Sequence, residues 1–119
     1  MRNAFIFGGI ILMIYVVYRA YTYQTLDRGL NRLIKNGAII LDVRTEKEFE
    51  TGHIKGSRNI SLGIIWEKYT ELDSRKTYIT VCSHGLRSVK AEKILKEKGF
   101  KSVHNGGAWS DLQKSLNLK

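Results

Sequence analysis

The stretch of sequence that decides the fold runs from Tyr78 to Ser88 and reads YITVCSHGLRS. Its first four residues are aromatic or β-branched, which predicts a β-strand that runs directly into Cys82. Helical spacing follows over residues 86–98, and Gly99 supplies the stop signal at the end of that helix. A strand that passes through a short loop into a helix is the repeating unit of an α/β sheet.

The rest of the chain after residue 23 alternates in the same way. Further strand-like runs are predicted at residues 38–41, 59–60 and 101–104. Further helices are predicted at residues 26–34, 45–52, 62–72 and 108–116. Thr45 and Glu48 have the spacing of a capping box at the start of the second of these helices. We therefore expect one α/β domain over residues 24–119, with a central, mostly parallel sheet flanked by helices.

The N-terminal segment has a different composition, since residues 4–18 carry no charge and are almost all apolar. A helix of that length measures about 22 Å, and a bilayer core needs about 30 Å. Snorkelling by Arg19 and the apolar bulk of residues 20–23 extend the usable span, so we predict one transmembrane anchor over residues 1–23. A secretory signal peptide remains the alternative, although residues 18–21 lack a small-x-small cleavage site.

Charge and aromatic residues support contact of this segment with lipid. The formal net charge is +9, and residues 1–36 alone hold five basic residues against one acidic residue, which suits anionic headgroups. Tyrosines resembling an interfacial belt are Tyr15, Tyr18, Tyr21 and Tyr23. Basic residues after the span, Arg19, Arg28, Arg32 and Lys35, outnumber Arg2 before it. The positive-inside rule then places a single-pass protein in the cell membrane with its domain in the cytoplasm.

The remaining composition narrows the classes of function. A single cysteine excludes an internal disulfide and a cysteine-built metal site. The histidines, His53, His84 and His104, show no spacing typical of zinc ligands, so no metal is expected. Basic residues form no stripe interleaved with aromatics, so no nucleic-acid partner is expected either.

Chemistry is expected at the loop that follows Cys82. In parallel sheets, ligands bind beyond the carboxyl ends of the strands, and the backbone N–H groups of a short loop there can form an anion-binding nest. Gly85 gives this loop conformational freedom, and Ser83 and Ser88 add hydroxyl donors. Arg87 and a protonated His84 would favour the thiolate form of the cysteine. The alternative is a buried strand-end cysteine beside an ordinary helix cap.

Three motifs resemble those of the rhodanese family. Cys82, four further residues, Arg87 and Ser88 resemble its active-site loop. Residues 41–60, which read LDVRTEKEFETGHIKGSRNI, resemble its upstream signature, and residues 105–107 (NGG) with Trp109 resemble its C-terminal signature. Together the motifs cover roughly residues 25–112 in the family's order. The resemblance implies a rhodanese-like three-layer domain.

The family's roles carry over to the matching positions. By resemblance, Cys82 is the persulfide-forming nucleophile, and Arg87 closes the loop and attracts anions. The resemblance also implies that five residues bind the substrate: Ser83, His84, Gly85, Leu86 and Ser88. Asp42 and Arg44 resemble a charged pair beneath the loop, with a structural role at least as much as a catalytic one. Two departures concern Ser83, which stands where the family often has arginine, and Trp109, which follows Gly107 more closely than usual.

The resemblance implies a sulfurtransferase. It would move a sulfane sulfur from thiosulfate or a similar donor, such as a persulfide, to a thiol or cyanide acceptor. The sulfur would pass through a Cys82 persulfide, and no cofactor is implied. A membrane-tethered persulfide relay or binding module with little turnover is one alternative. A phosphatase or arsenate reductase of related fold is another, but such phosphatases place five residues between the cysteine and the arginine, whereas this chain has four.

Overall fold

The computed structural model describes residues 2–117, with the side chains of residues 3–20 and 29–116. The strands are β1 (Ile39–Asp42), β2 (Arg58–Asn59), β3 (Tyr78–Cys82) and β4 (Val103–Ala108). The helices are α1 (Arg2–Lys35), α2 (Glu46–Glu50), α3 (Ile65–Lys68), α4 (Leu86–Glu97) and α5 (Trp109–Asn117). The sheet has the order β2-β1-β3-β4, and all its neighbouring strands are parallel. The predicted α/β class with a parallel sheet is confirmed.

Helices cover both faces of this sheet. Tyr78 and Cys82 of β3 belong to a buried cluster that includes Ala91 and Leu95 of α4. Ile79 and Val81 of the same strand belong to a second cluster that includes side chains of α1 and α5. Alternate residues of a strand point to opposite faces, so the two clusters are the two cores of a three-layer domain.

The start of α2 and the end of α4 both follow the signals in the local sequence. Thr45 and Glu48 form the expected capping box, with each side chain bonded to the other residue's backbone N–H. At the end of α4, Gly99 has a φ of +94°, and the Phe100 N–H donates to the Leu95 carbonyl as a helix C-cap requires.

Two predicted elements need correction. The strand predicted at residues 101–104 is β4, which continues to Ala108 because residues 105–107 remain paired with β3 through a bulge. Glycine permits this approach, since a Cβ on Gly106 would lie 2.7 Å from a side-chain carbon of β3. The helix predicted at residues 62–72 is broken into two 3₁₀ turns around the four-residue α3. Only Ile65 and Leu72 are buried there, so no continuous apolar face supports a longer helix.

The N-terminal segment and the helix predicted at residues 26–34 form the single helix α1, since no proline interrupts them. All side chains of residues 3–20 are exposed, and the helix over Asn3–Ala20 is long and apolar enough to cross a membrane. Further along, α1 joins the domain, where Leu30 is buried and Asn31 Nδ2 donates to Ser115 Oγ at 3.3 Å. The side chains of residues 2 and 21–28 lie outside the described residues, and with them the expectations for Arg2, Tyr21, Tyr23, Leu26 and Arg28.

Candidate active site

Cys82 is the last residue of β3, and it is buried, with a relative exposure of 1%. Gly85 is the N-cap residue of α4 and has a φ of +96°. Residues other than glycine adopt this left-handed backbone conformation only at a cost. This turn aims backbone donors at the sulfur, because the Gly85 N–H donates to Cys82 Sγ at 2.9 Å and the Ser88 N–H at 3.4 Å. The predicted nest of amides therefore forms around the cysteine sulfur.

The electrostatics of this nest favour the thiolate. Burial raises the pKa of the Cys82 thiol, but the Ser88 side chain and the backbone amides of Ser88, Gly85 and His84 together lower it by more. The net result is a pKa below the ordinary value for cysteine, so a larger fraction of the residue is ionised at neutral pH. A cysteine with increased thiolate character at the carboxyl end of a parallel strand is a candidate nucleophile.

Ser88 connects the loop to β4. Its hydroxyl oxygen lies 2.9 Å from the Gly85 carbonyl and 2.6 Å from Asn105 Oδ1, which also accepts from the Gly107 N–H at 3.0 Å. On the other side, Thr80 Oγ1 donates to the Ser88 carbonyl at 2.8 Å. Asn105 thus belongs to the support of the loop. Its place in the C-terminal motif did not by itself predict this role.

Arg87 is paired with a residue of α2. Its Nη1 donates to Glu48 Oε1 at 2.7 Å and its Nη2 to Glu48 Oε2 at 2.9 Å, a bidentate ion pair in which both side chains are half-buried. Ser83 Oγ donates to the same Oε2 at 3.1 Å and accepts from Arg87 Nη2 at 3.2 Å. The Arg87 guanidinium holds the pKa of the Glu48 carboxyl far below its usual range, with further hydrogen bonds from Thr45 and Ser83.

The Asp42–Arg44 pair is buried in the domain. Arg44 Nη2 donates to Asp42 Oδ2 at 2.7 Å, and the two residues are 3% and 0% exposed. Arg44 also donates to the Gly52 carbonyl at 2.7 Å, and its guanidinium lies 4.7 Å from the centre of the Trp109 ring. These contacts join β1, the turn after α2 and the start of α5. A structural role for the pair stays a prediction.

The matching family model is that of the rhodanese-like domain, and it covers residues 25–113. The chain belongs to the rhodanese-like family. Among its relatives, YtwF of Bacillus subtilis is 40% identical over 81 residues, which cover 66% of this chain and 79% of the relative. Thiosulfate sulfurtransferase GlpE of Pseudoalteromonas translucida is 33% identical over 76% of this chain and 90% of its own. A rhodanese-related protein of Thermoplasma volcanium matches in structure with a TM-score of 0.63 at 32% identity, over 77% of this chain and 88% of that one.

The rhodanese-like site contains most of the predicted residues, but not all of their side chains face the sulfur. The backbone amides of His84, Gly85 and Ser88 donate to the sulfur. The side chains of Ser83 and Arg87 instead form hydrogen bonds with Glu48. His84 is exposed, and Leu86 is 78% exposed at the start of α4.

His53 and Glu48 complete the comparison with the sequence analysis. His53 Nδ1 lies 2.8 Å from the Phe49 carbonyl and its ring stacks on that of Phe49, which ties the segment after α2 to that helix. The link from Glu48 to the loop was missed, because its capping box with Thr45 already explained the residue. The local sequence around Glu48 carries no signal for a contact with a residue 39 positions away.

Proposed function

We propose that the protein is a sulfurtransferase that moves a sulfane sulfur from thiosulfate or a similar donor to a thiol or cyanide, through a persulfide on Cys82. Membership of the rhodanese-like family supports sulfur transfer in general. A persulfide on Cys82 in particular is supported by two backbone N–H groups, those of Gly85 and Ser88, which donate to Cys82 Sγ. The same donors stabilise the thiolate that attacks the donor and the thiolate that is restored when the sulfur leaves.

In the first half-reaction, the Cys82 thiolate attacks the outer sulfur of the donor. A bond forms between Sγ and that sulfur, and the bond between the two donor sulfurs breaks. The electron pair of the broken bond leaves with sulfite when the donor is thiosulfate. We assign the amides around the loop, from Ser83 to Ser88, to the binding of the donor's oxygens and of the transferred sulfur.

In the second half-reaction, an acceptor thiolate or cyanide attacks the outer sulfur of the persulfide. The bond between that sulfur and Sγ breaks, its electron pair returns to Cys82, and the thiolate is restored. Because the chain has a single cysteine, no second thiol of the same chain can release the sulfur. The persulfide therefore waits for an external acceptor, which predicts ping-pong kinetics.

In this proposal, the apolar part of α1 holds the protein at a membrane. We assign residues 1–23 to a single-pass membrane anchor that contacts lipid through residues 4–18, and residues 24–119 to the rhodanese-like domain. The basic residues that follow the span orient the domain to the cytoplasm. A reporter fused to the C-terminus should be active only when it is of a kind that works in the cytoplasm. Activity of a reporter that works only outside would contradict this orientation.

Thiosulfate:cyanide sulfurtransferase activity of the full chain in an uncharged detergent tests the proposed reaction. We expect thiocyanate formation and, after thiosulfate alone, a protein one sulfur atom heavier, with both results absent in Cys82→Ser. A persulfide without turnover would instead support the relay function. Hydrolysis of an aryl phosphate that depends on Cys82 would support the phosphatase. A folded, reduced protein that gives none of these would contradict the proposal.

A further inference from the structure

Arg87 of the active-site loop and Glu48 of α2 form an ion pair beside the nucleophile's loop. Arg87 is the one arginine or lysine between Cys82 and Ser88. Both terminal nitrogens of its guanidinium are engaged by the two oxygens of the Glu48 carboxylate, at 2.7 and 2.9 Å. A donor that approaches the loop therefore meets an ion pair with no net charge in place of a free cation.

Ser83 links the negative member of this pair to the active-site loop. Its hydroxyl donates to Glu48 Oε2 at 3.1 Å, and Ser83 is the residue directly after Cys82. The Glu48 carboxylate also accepts from the Thr45 N–H at 3.1 Å through the capping box, so α2 fixes its position. Since Arg87 holds the pKa of this carboxyl far below its ordinary range, Glu48 stays charged throughout the pH range in which a thiolate is present.

A charge in this position acts unequally on donors of different charge. The repulsion between Glu48 and a donor grows in proportion to the donor's charge, and so does the attraction to Arg87. Thiosulfate carries two negative charges, whereas an organic thiosulfonate carries one and has the same kind of outer sulfur. The Glu48 charge therefore reduces the binding of thiosulfate more than the binding of the thiosulfonate.

We propose that Glu48 is a specificity-determining residue that lowers the preference of the site for doubly charged sulfur donors relative to singly charged ones. The proposal rests on the sulfurtransferase function proposed above. It assigns to this protein a class of donor with low charge, such as a thiosulfonate or an organic persulfide. In either case the bond to Cys82 Sγ forms at the outer sulfur, and the leaving group departs with the electron pair, as sulfinate from a thiosulfonate or as a thiolate from a persulfide.

The test is the ratio of kcat/KM for thiosulfate to kcat/KM for benzenethiosulfonate, measured with cyanide as acceptor on the full chain in an uncharged detergent. Glu48→Gln removes the charge, and a glutamine oxygen can still accept in the capping box. We expect the ratio to rise about three- to tenfold, as a charge interaction across a partly solvated distance predicts. Glu46→Gln is the matched control: it removes the same charge from an exposed position of α2, and its ratio should stay that of the wild type.

Variants of the cation give the opposite sign and do not depend on the folding of Glu48→Gln. Arg87→Gln leaves the Glu48 charge uncompensated, so the ratio should fall below that of the wild type. Glu48→Gln combined with Arg87→Gln removes both charges, and its ratio should return towards the wild-type value. A role of Glu48 in folding alone would lower both kcat/KM values together and leave the ratio unchanged in all variants, which would overturn the proposal. Failure of the wild type to use either donor would instead refute the proposed function.

Discussion

Replacing Ser88 with alanine should raise the pKa of the Cys82 thiol and slow its reaction with iodoacetamide at neutral pH. The Ser88 side chain is fully buried beside the sulfur and is one of the groups that lower this pKa, and its hydroxyl donates to Asn105 and so supports the loop whose amides face the sulfur. Its contribution is taken as about 1.5 kcal/mol, the low end for an interaction with a charged group, because the amide donors of the loop remain. Since about 1.4 kcal/mol is a factor of ten, the alkylation rate at pH 7 should fall by up to about tenfold.

The alkylation rate is measured by intact mass as a function of pH. The Ser88→Ala profile should shift to higher pH and meet the wild-type profile once both thiols are fully ionised, since the sulfur itself is unchanged. Ser74→Ala, at an exposed turn, is the control and should follow the wild type. If Ser88→Ala is folded and its profile coincides with that of the wild type, the hydroxyl does not contribute to the ionisation of Cys82. A rate that stays low at high pH would show that Ser88 governs access to the sulfur instead.

Three further predictions concern stability and can be checked by thermal denaturation. Gly106→Ala should destabilise the domain by about 1–3 kcal/mol, because a Cβ there overlaps the side chains of β3; an unchanged melting temperature would contradict the close packing of β4. Asp42→Asn should cost about 3–5 kcal/mol, because Arg44 would be left as a buried cation without its carboxylate; a loss below 1 kcal/mol would show that the pair is not shielded from water. The stability difference between the wild type and Glu48→Gln should be largest above about pH 5 and shrink as the pH falls, because Arg87 lowers the pKa of Glu48 in the folded state. A difference that grows towards acid pH would have the wrong sign for this ion pair.

The elements around the nucleophile could be predicted because their signals are local. The apolar run before Cys82 determines β3, and Gly99 determines the end of α4. By contrast, residues 105–107 lay outside the predicted strand, and pairing with β3 makes them part of it. Leu62 and its neighbours have the composition of a helix, but burial of so few of them leaves the segment in short turns.

Contacts between distant parts of the chain could not be predicted in the same way. Glu48 and Arg87 are 39 residues apart, and the local pattern of Glu48 was already satisfied by the capping box. Ser88 and Asn105 both lay within recognised motifs, but the spacing of the motifs does not say that one side chain supports the other. The composition of the loop therefore indicated a thiolate nest, while the residues that hold this nest in place follow only from the tertiary structure.

The most direct test of the central claim follows one sulfur atom through the protein. The full chain is treated with thiosulfate labelled at its outer sulfur, then digested and analysed by mass spectrometry before and after cyanide is added. We predict that the label is bound to Cys82 as a persulfide and that cyanide removes it as labelled thiocyanate. Absence of the label from Cys82 in a folded, reduced protein, or its equal retention by Cys82→Ser, would contradict a persulfide mechanism at this site.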